Sequence, residues 1–71
     1  MKVASEMTTD MNGKLFRHKK TGGFYHVVLD DAVIEATMER AVIYRALSDN
    51  RVWVRPHAEF TDGRFELAKG Q

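Results

Sequence analysis

Residues 41–56 read AVIYRALSDNRVWVRP, and this stretch decides the fold. β-Branched and aromatic side chains fill both of its ends, which favours strands over residues 41–47 and 51–55. The polar triplet at 48–50, Ser-Asp-Asn, is typical of a tight turn. Pro56 has no amide hydrogen to donate to a sheet, so it ends the second strand. The stretch therefore predicts an antiparallel β-hairpin.

The flanking sequence extends this pattern in both directions. Upstream, KLFRH at 14–18 and FYHVVL at 24–29 predict two strands, and the glycines of the turn KTGG at 20–23 can adopt positive φ. Downstream, HAEF at 57–60 predicts one helical turn, TDG at 61–63 a turn, and RFEL at 64–67 a last strand. Short strands at close spacing predict a mainly β fold, either a small, strongly bent antiparallel sheet or an SH3-like barrel, with one short helix.

Residues 32–40 leave a second architecture open. Their apolar side chains alternate along the chain, which favours extended structure, but Ile34, Met38 and Ala41 also match the spacing of one helix face. No glycine or proline separates this segment from the next strand, which favours the extended form. The alternative is an α+β fold with a helix at 32–40.

Length and composition predict a single small domain. The chain has 71 residues and no cysteine, so its apolar core must hold it together without disulfides or thiolate zinc sites. We expect an N-terminal arm at 1–12, one β-rich domain at 13–67 and a C-terminal tail at 68–71. The sequence contains no long apolar run and no secretory signal, so we expect a cytoplasmic protein without membrane contact.

The predicted core draws on both sides of the strands. Its members are Val27, Leu29, Val42, Ile43, Tyr44, Val52, Val54, Phe60 and Phe65. Within the second strand of the hairpin, the valines alternate with Trp53 and Arg55, so one pair faces the core and the other faces outward. A lone tryptophan in a small domain is more often buried than exposed. Alternation alone, however, does not decide whether the valines or Trp53 and Arg55 face the core. An exposed Trp53 beside arginines would form a partner surface, because tryptophan and arginine dominate interface hot spots. That surface would comprise Arg45, Arg51, Trp53, Arg55 and Arg64.

A second candidate surface is basic. Eleven basic and ten acidic residues give a net charge of +1, so no overall field attracts a polyanion. Basic residues nevertheless cluster at 14–20, close to aromatic residues on which bases could stack. The candidate nucleic-acid contacts are Lys14, Arg17, Lys19, Lys20 and Tyr25.

Residues suited to catalysis are present but not in catalytic patterns. Ser5 lies in the predicted arm and Ser48 in a turn, and neither has the setting of an activated nucleophile. Asp30 and Asp31 are adjacent on a strand, so they point to opposite faces. The histidines, His18, His26 and His57, follow no metal-ligand spacing. We therefore expect that the protein is not an enzyme and that it binds no cofactor and no metal.

Several short elements together resemble a family of short bacterial and phage domains of unknown function. They are FRHK at 16–19, GFYHV at 23–27, VIYRAL at 42–47, VWVRP at 52–56, EF at 59–60 and DGRF at 62–65. The resemblance extends over residues 14–66 and implies a compact β-rich domain, but no reaction and no ligand.

Size and the missing catalytic patterns favour a non-catalytic binding module. A domain of this size can still present about 800 Å² to a partner, which is a standard interface. We expect it to occupy a surface of a protein partner. The phage members of the resembling family suggest an accessory protein that antagonises a host defence system, such as an anti-CRISPR-type inhibitor. The alternatives are a nucleic-acid-binding barrel and a structural domain that associates with itself as a homo-oligomer.

Overall fold

The five strands of the computed structural model, which describes residues 11–68, form one antiparallel sheet in the order β4-β3-β2-β1-β5. The elements are β1 (Leu15–His18), β2 (Phe24–Ile34), β3 (Glu39–Ala46), β4 (Val52–Pro56), α1 (His57–Phe60) and β5 (Phe65–Leu67). Because β4 and β5 are the edges, the sheet is open rather than a closed barrel. The prediction of a mainly β fold with one short helix is confirmed in its open-sheet form.

The segment at 32–40 forms the β2–β3 hairpin. Residues 32–34 complete β2, residues 35–38 turn, and β3 begins at Glu39. In the turn, the amide of Met38 donates to the Ile34 carbonyl oxygen at 2.6 Å, and Met38 takes a φ of 63°. The alternative helix at 32–40 is therefore wrong. Left-handed backbone is uncommon outside glycine, asparagine and aspartate, so a methionine gave no turn signal.

One face of the sheet carries the core. Tyr44 pairs with Val27 on one side and with Trp53 on the other, so these three side chains lie on the same face. Helix α1 packs against β3 and β4 and supplies Phe60, which is 1% exposed. The buried cluster consists of Val27, Val42, Tyr44, Phe60 and Phe65, all of them predicted core residues.

Four other residues predicted for the core lie on the opposite face. Leu29 pairs with Ile43, and Ile43 pairs with Val54, so these three side chains share a face. Val52 pairs with Arg45 and lies on the same face as Val54. Leu29, Val52 and Val54 are 37%, 51% and 57% exposed, and Ile43 is only partly buried. Their assignment to the core was wrong because α1 covers the other face.

The start of the described chain is tied to an irregular part of β2. The β2–β3 register shifts between Val27 and Leu29 and again between Leu29 and Ala32. Within the second shift, Asp30 is buried, and its Oδ2 accepts the amide of Met11 at 2.7 Å. Its own amide donates to Asn12 Oδ1 at 2.9 Å.

The predicted ends of the domain are partly described. Met11 and Asn12, assigned to the arm at 1–12, contact β2, whereas residues 1–10 lie outside the described residues. At the other end, the amide of Ala68 donates to the Leu15 carbonyl oxygen at 2.9 Å, and residues 69–71 of the predicted tail also lie outside. Between residues 11 and 68, no helix has the length and apolarity needed to cross a bilayer.

His57 gives the domain a predicted dependence on pH. Burial lowers the pKa of this imidazole below its ordinary value, Arg40 lowers it further, and the charge of Asp30 partly offsets both. Because the unfolded chain then binds the proton more readily, the His57 contribution to stability is present above an unfolded pKa of about 6.5 and is lost as the pH falls towards the folded pKa. We expect the unfolding free energy of the wild type to drop more than that of His57→Gln between about pH 7.5 and pH 5.5 in urea titrations. Equal drops in the two proteins would contradict this assignment.

Candidate functional site

Four aromatic rings meet on the α1 side of the sheet. Phe60 and Phe65 stack with ring centroids 4.2 Å apart and planes 12° from parallel. Tyr44 lies 5.2 Å from Phe60 and 5.6 Å from Phe65, and Tyr25 meets Tyr44 edge-on at 5.4 Å. These rings come from β2, β3, α1 and β5, so the surface above them has a floor that is fixed by the core.

An open cleft of about 260 Å³ lies over this ring cluster. We call it the aromatic cleft, and its walls are formed by His18, Thr21, Tyr25, Tyr44, Trp53, Arg55 and Phe65. Pockets for drug-sized ligands measure about 300 to 1,000 Å³. The aromatic cleft is therefore suited to a single side chain or ring.

Arg55 provides a fixed positive charge in the cleft wall. Its Nε donates to the Tyr44 hydroxyl at 3.1 Å, its Nη1 lies 3.5 Å from Glu59 Oε1, and its guanidinium lies 5.6 Å from the Phe65 ring centroid. The pKa of Arg55 is raised above its ordinary value, chiefly by the hydrogen bond to Tyr44 and in part by the charge of Glu59. The guanidinium is thus held in place by three neighbours.

Trp53 forms the rim of the aromatic cleft. It lies on the core side of β4, but β4 is an edge strand, and the indole stays 45% exposed. The guanidinium of Arg51 lies 5.7 Å from the Trp53 ring centroid, within the range of a cation–π contact. The structure thus places Trp53 on the core side without burying it, and the adjacent valines point away.

A second, basic concavity adjoins the aromatic cleft and shares His18 with it. This lysine pocket has a volume of about 430 Å³ and is lined by His18, Lys19, Lys20 and Arg64. The Lys19 amide donates to the Arg64 carbonyl oxygen at 3.0 Å, which joins the turn after β1 to the turn before β5.

Residues 14–67 match a family model described as "Protein of unknown function (DUF1653)". The chain belongs to this family. No curated protein and no solved structure matches the chain. The matched range of the DUF1653 domain contains all the residues of the aromatic cleft and of the lysine pocket.

The DUF1653 fold brings only part of the predicted partner surface together. Trp53 and Arg55 line the aromatic cleft, Arg51 lies against Trp53, and Arg64 lines the lysine pocket. Arg45 is exposed on the opposite face, where it pairs with His26 and Val52.

The predicted nucleic-acid contacts are also divided. Lys19 and Lys20 line the lysine pocket, and Tyr25 lines the aromatic cleft. Arg17 pairs in register with Phe24 on the opposite face and forms a 2.9 Å ion pair with Glu66 there. Lys14 precedes β1, at the other end of that strand from Lys19.

Four cleft residues were missed as site residues. Tyr44 and Phe65 were predicted for the core only, His18 was considered only as a metal ligand, and Thr21 was not singled out. The sequence elements that carry the family resemblance could have indicated a site. VIYRAL, VWVRP and DGRF each contribute at least one side chain to the aromatic cleft or the lysine pocket. In the sequence these elements are separate, and only the pairing of β1 with β2 and β5, and of β3 with β2 and β4, makes them neighbours.

The residues considered for catalysis lie apart. Asp30 is buried while Asp31 is exposed, as expected for neighbours on a strand, and Ser48 is exposed in a turn. Ser5 lies outside the described residues. Between residues 11 and 68, no group of three or more histidine, cysteine, aspartate or glutamate side chains could hold a metal ion.

Proposed function

We propose that the domain is a small non-catalytic binding module that occupies a surface of a protein partner through the aromatic cleft. The observation that supports this most is the convergence of a half-exposed tryptophan, buried tyrosine and phenylalanine rings and a fixed arginine on one concave surface. Tryptophan, tyrosine and arginine are the residues in which interface energy concentrates. Because the core holds the rings in place, little conformational freedom is lost when a partner binds.

Charges beside the cleft favour a protein over a polyanion. Glu59 lies 3.5 Å from Arg55 and 3.9 Å from Arg64, and Asp62 Oδ2 accepts from Arg64 Nε at 2.9 Å. These carboxylates interrupt the positive surface near the cleft. A nucleic-acid strand binds best along a continuous basic track, because each phosphate contact adds to affinity.

Nucleic-acid binding is the second candidate. It is favoured by one observation, the position of Lys19 and Lys20 beside rings on which bases could stack. Of its other predicted contacts, Arg17 and Lys14 lie away from that surface. Nuclease treatment in the experiment below separates the two candidates.

The narrower form of the proposal is a phage accessory protein that antagonises a host defence system, of the anti-CRISPR type. Its support is the resemblance to short phage domains. It requires the captured partner to be a component of such a system, so the identity of that partner decides it.

The test is affinity capture from a lysate of the source organism, with and without nuclease, using the full chain and three variants. We expect Trp53→Ala and Arg55→Met to weaken binding of the captured partner by roughly 1 to 3 kcal/mol, about 5- to 150-fold. Methionine keeps much of the arginine stem over Phe65 while removing the charge. Arg45→Ala is the matched control, because it removes an exposed arginine from the opposite face.

The result that supports the proposal is a partner that survives nuclease, binds the wild type and Arg45→Ala alike, and is lost from the cleft variants. Denaturation midpoints of all variants establish that they are folded. A partner that binds the cleft variants as tightly as the wild type, or that disappears with nuclease, overturns the proposal.

A further inference from the structure

The lysine pocket is held in shape by backbone hydrogen bonds. His18 donates its amide to the Gly23 carbonyl oxygen at 2.8 Å and accepts the Gly22 amide on its own carbonyl at 2.7 Å. The Lys19 amide donates to Arg64 at 3.0 Å. Gly22 has a φ of 80°, which the turn requires and side-chain-bearing residues rarely adopt. The lysines are thus placed by the chain and not by attraction to a carboxylate of their own.

Only part of the positive charge in this pocket is paired with a carboxylate among residues 11–68. Arg64 is paired with Asp62 and Glu59. Lys19 and Lys20 are exposed, and no carboxylate between residues 11 and 68 lies within ion-pair distance of either. Two uncompensated ammonium groups in a concave surface favour an anionic ligand.

His18 separates the lysine pocket from the aromatic cleft. Its Nδ1 faces Thr21, 3.4 Å from the amide nitrogen and 3.3 Å from Oγ1, and its ring meets Phe65 edge-on at 4.8 Å. Since Nδ1 accepts from that amide, the neutral ring carries its proton on Nε2. The wall between the two concavities is therefore a fixed ring with a remaining N–H donor.

From these contacts we infer that the partner contributes an extended acidic segment, with an aromatic side chain in the aromatic cleft and a carboxylate at Lys19 and Lys20. This inference rests on the proposed function and specifies the partner's chemistry. In an extended chain, side chains two residues apart lie on the same side, roughly 7 Å from each other. One imidazole ring separates the two concavities, so the segment has the pattern aromatic, any residue, acidic.

The direct test titrates the full chain with synthetic peptides and follows its single tryptophan, which lies at the cleft rim. The probe is acetyl-Gly-Asp-Phe-Asp-Glu-Gly-amide. Its controls are the same peptide with glycine for phenylalanine, the same peptide with lysine for every acidic residue, and a single-stranded hexathymidylate. We expect saturable binding of the probe only, weakening as salt rises from about 50 to about 300 mM.

Variants then assign the charge contacts. We expect the double variant Lys19→Ala/Lys20→Ala to bind the probe about 3- to 20-fold more weakly, as for two exposed ion pairs. The matched control, Lys14→Ala/Arg45→Ala, removes the same charge from exposed sites away from the pocket and should bind within about twofold of the wild type.

The inference is overturned if the probe does not saturate up to about 1 mM, if the lysine-substituted peptide binds equally, or if both double variants lose binding equally. The inference and the proposed function can fail independently of each other. If the captured cellular partner is lost from Trp53→Ala but not from Lys19→Ala/Lys20→Ala, the module stands and its acidic ligand does not. If hexathymidylate binds and its binding depends on Lys19 and Lys20, the ligand of the pocket is nucleic acid. That result overturns both the inference and the proposed function.

Discussion

Phe60→Ala is expected to lower the free energy of unfolding by about 3 to 5 kcal/mol, as for other large-to-small changes in a core. Phe60 is 1% exposed, stacks on Phe65 and contacts Tyr44 and Phe16. It is also the buried residue of α1, so its loss releases the helix from the sheet. A domain of 71 residues has roughly 4 to 10 kcal/mol of stability in total, so the variant should lose about a third of it or more.

Urea denaturation followed by far-ultraviolet circular dichroism measures this loss. Phe24→Ala is the matched control, because Phe24 is 41% exposed on the opposite face and its truncation should cost less than about 1 kcal/mol. Phe60→Leu keeps most of the buried volume and should fall between the two. A cost below about 1 kcal/mol for Phe60→Ala would mean that α1 does not close the core.

Local sequence predicted the strands well, because each hairpin has its own signal. The turn at 20–23 has glycine at the position where φ is 80°, and the Ser-Asp-Asn turn has Asn50 at a φ of 60°. Both residue types tolerate left-handed backbone. The turn at 35–38 escaped prediction because Met38 occupies the equivalent position, and no local preference of methionine indicates it.

The choice of the buried face could not be made from β3 and β4 alone. Val52 and Val54 are as suited to a core as Trp53, and alternation only says that the two sets point apart. The choice depends on α1, four residues long, which places Phe60 beside Tyr44 and Phe65. That is a tertiary contact without a periodic signal in the sequence.

The candidate site is predictable to a similar degree. Trp53 and Arg55 were identified from residue type, because tryptophan and arginine dominate interfaces. Their grouping with Arg45 assumed one surface, whereas alternation along β3 and pairing with β4 put Arg45 on the opposite face. The role of His18 depends on pairing in register with Phe65, forty-seven residues later in the chain, which sequence patterns do not specify.

Asp30 is the one buried charged residue among those described, and it contacts Met11, Asn12 and Arg40 at the irregular part of β2. Its Oδ2 accepts the Met11 amide at 2.7 Å, and its Oδ1 lies 3.9 Å from Arg40 Nη2. Its carbonyl oxygen accepts Arg40 Nε at 3.0 Å. The Arg40 side chain is 46% exposed, so the ion pair itself contributes little and the hydrogen bond to Met11 contributes most.

Asp30→Ala is therefore expected to lower the free energy of unfolding by about 2 to 3 kcal/mol, because it leaves the Met11 amide without its charged acceptor in a partly buried place. Asp30→Asn keeps an oxygen that can accept this amide and should cost about 1 kcal/mol. Asp31→Ala, at the exposed neighbouring position, should change stability by less than about 0.5 kcal/mol. Urea denaturation of the three variants, with hydrogen exchange of the Met11 amide, tests the order. If Asp30→Ala matched Asp31→Ala, or left the exchange of that amide unchanged, the carboxylate would not be what fixes the start of the described chain to the sheet.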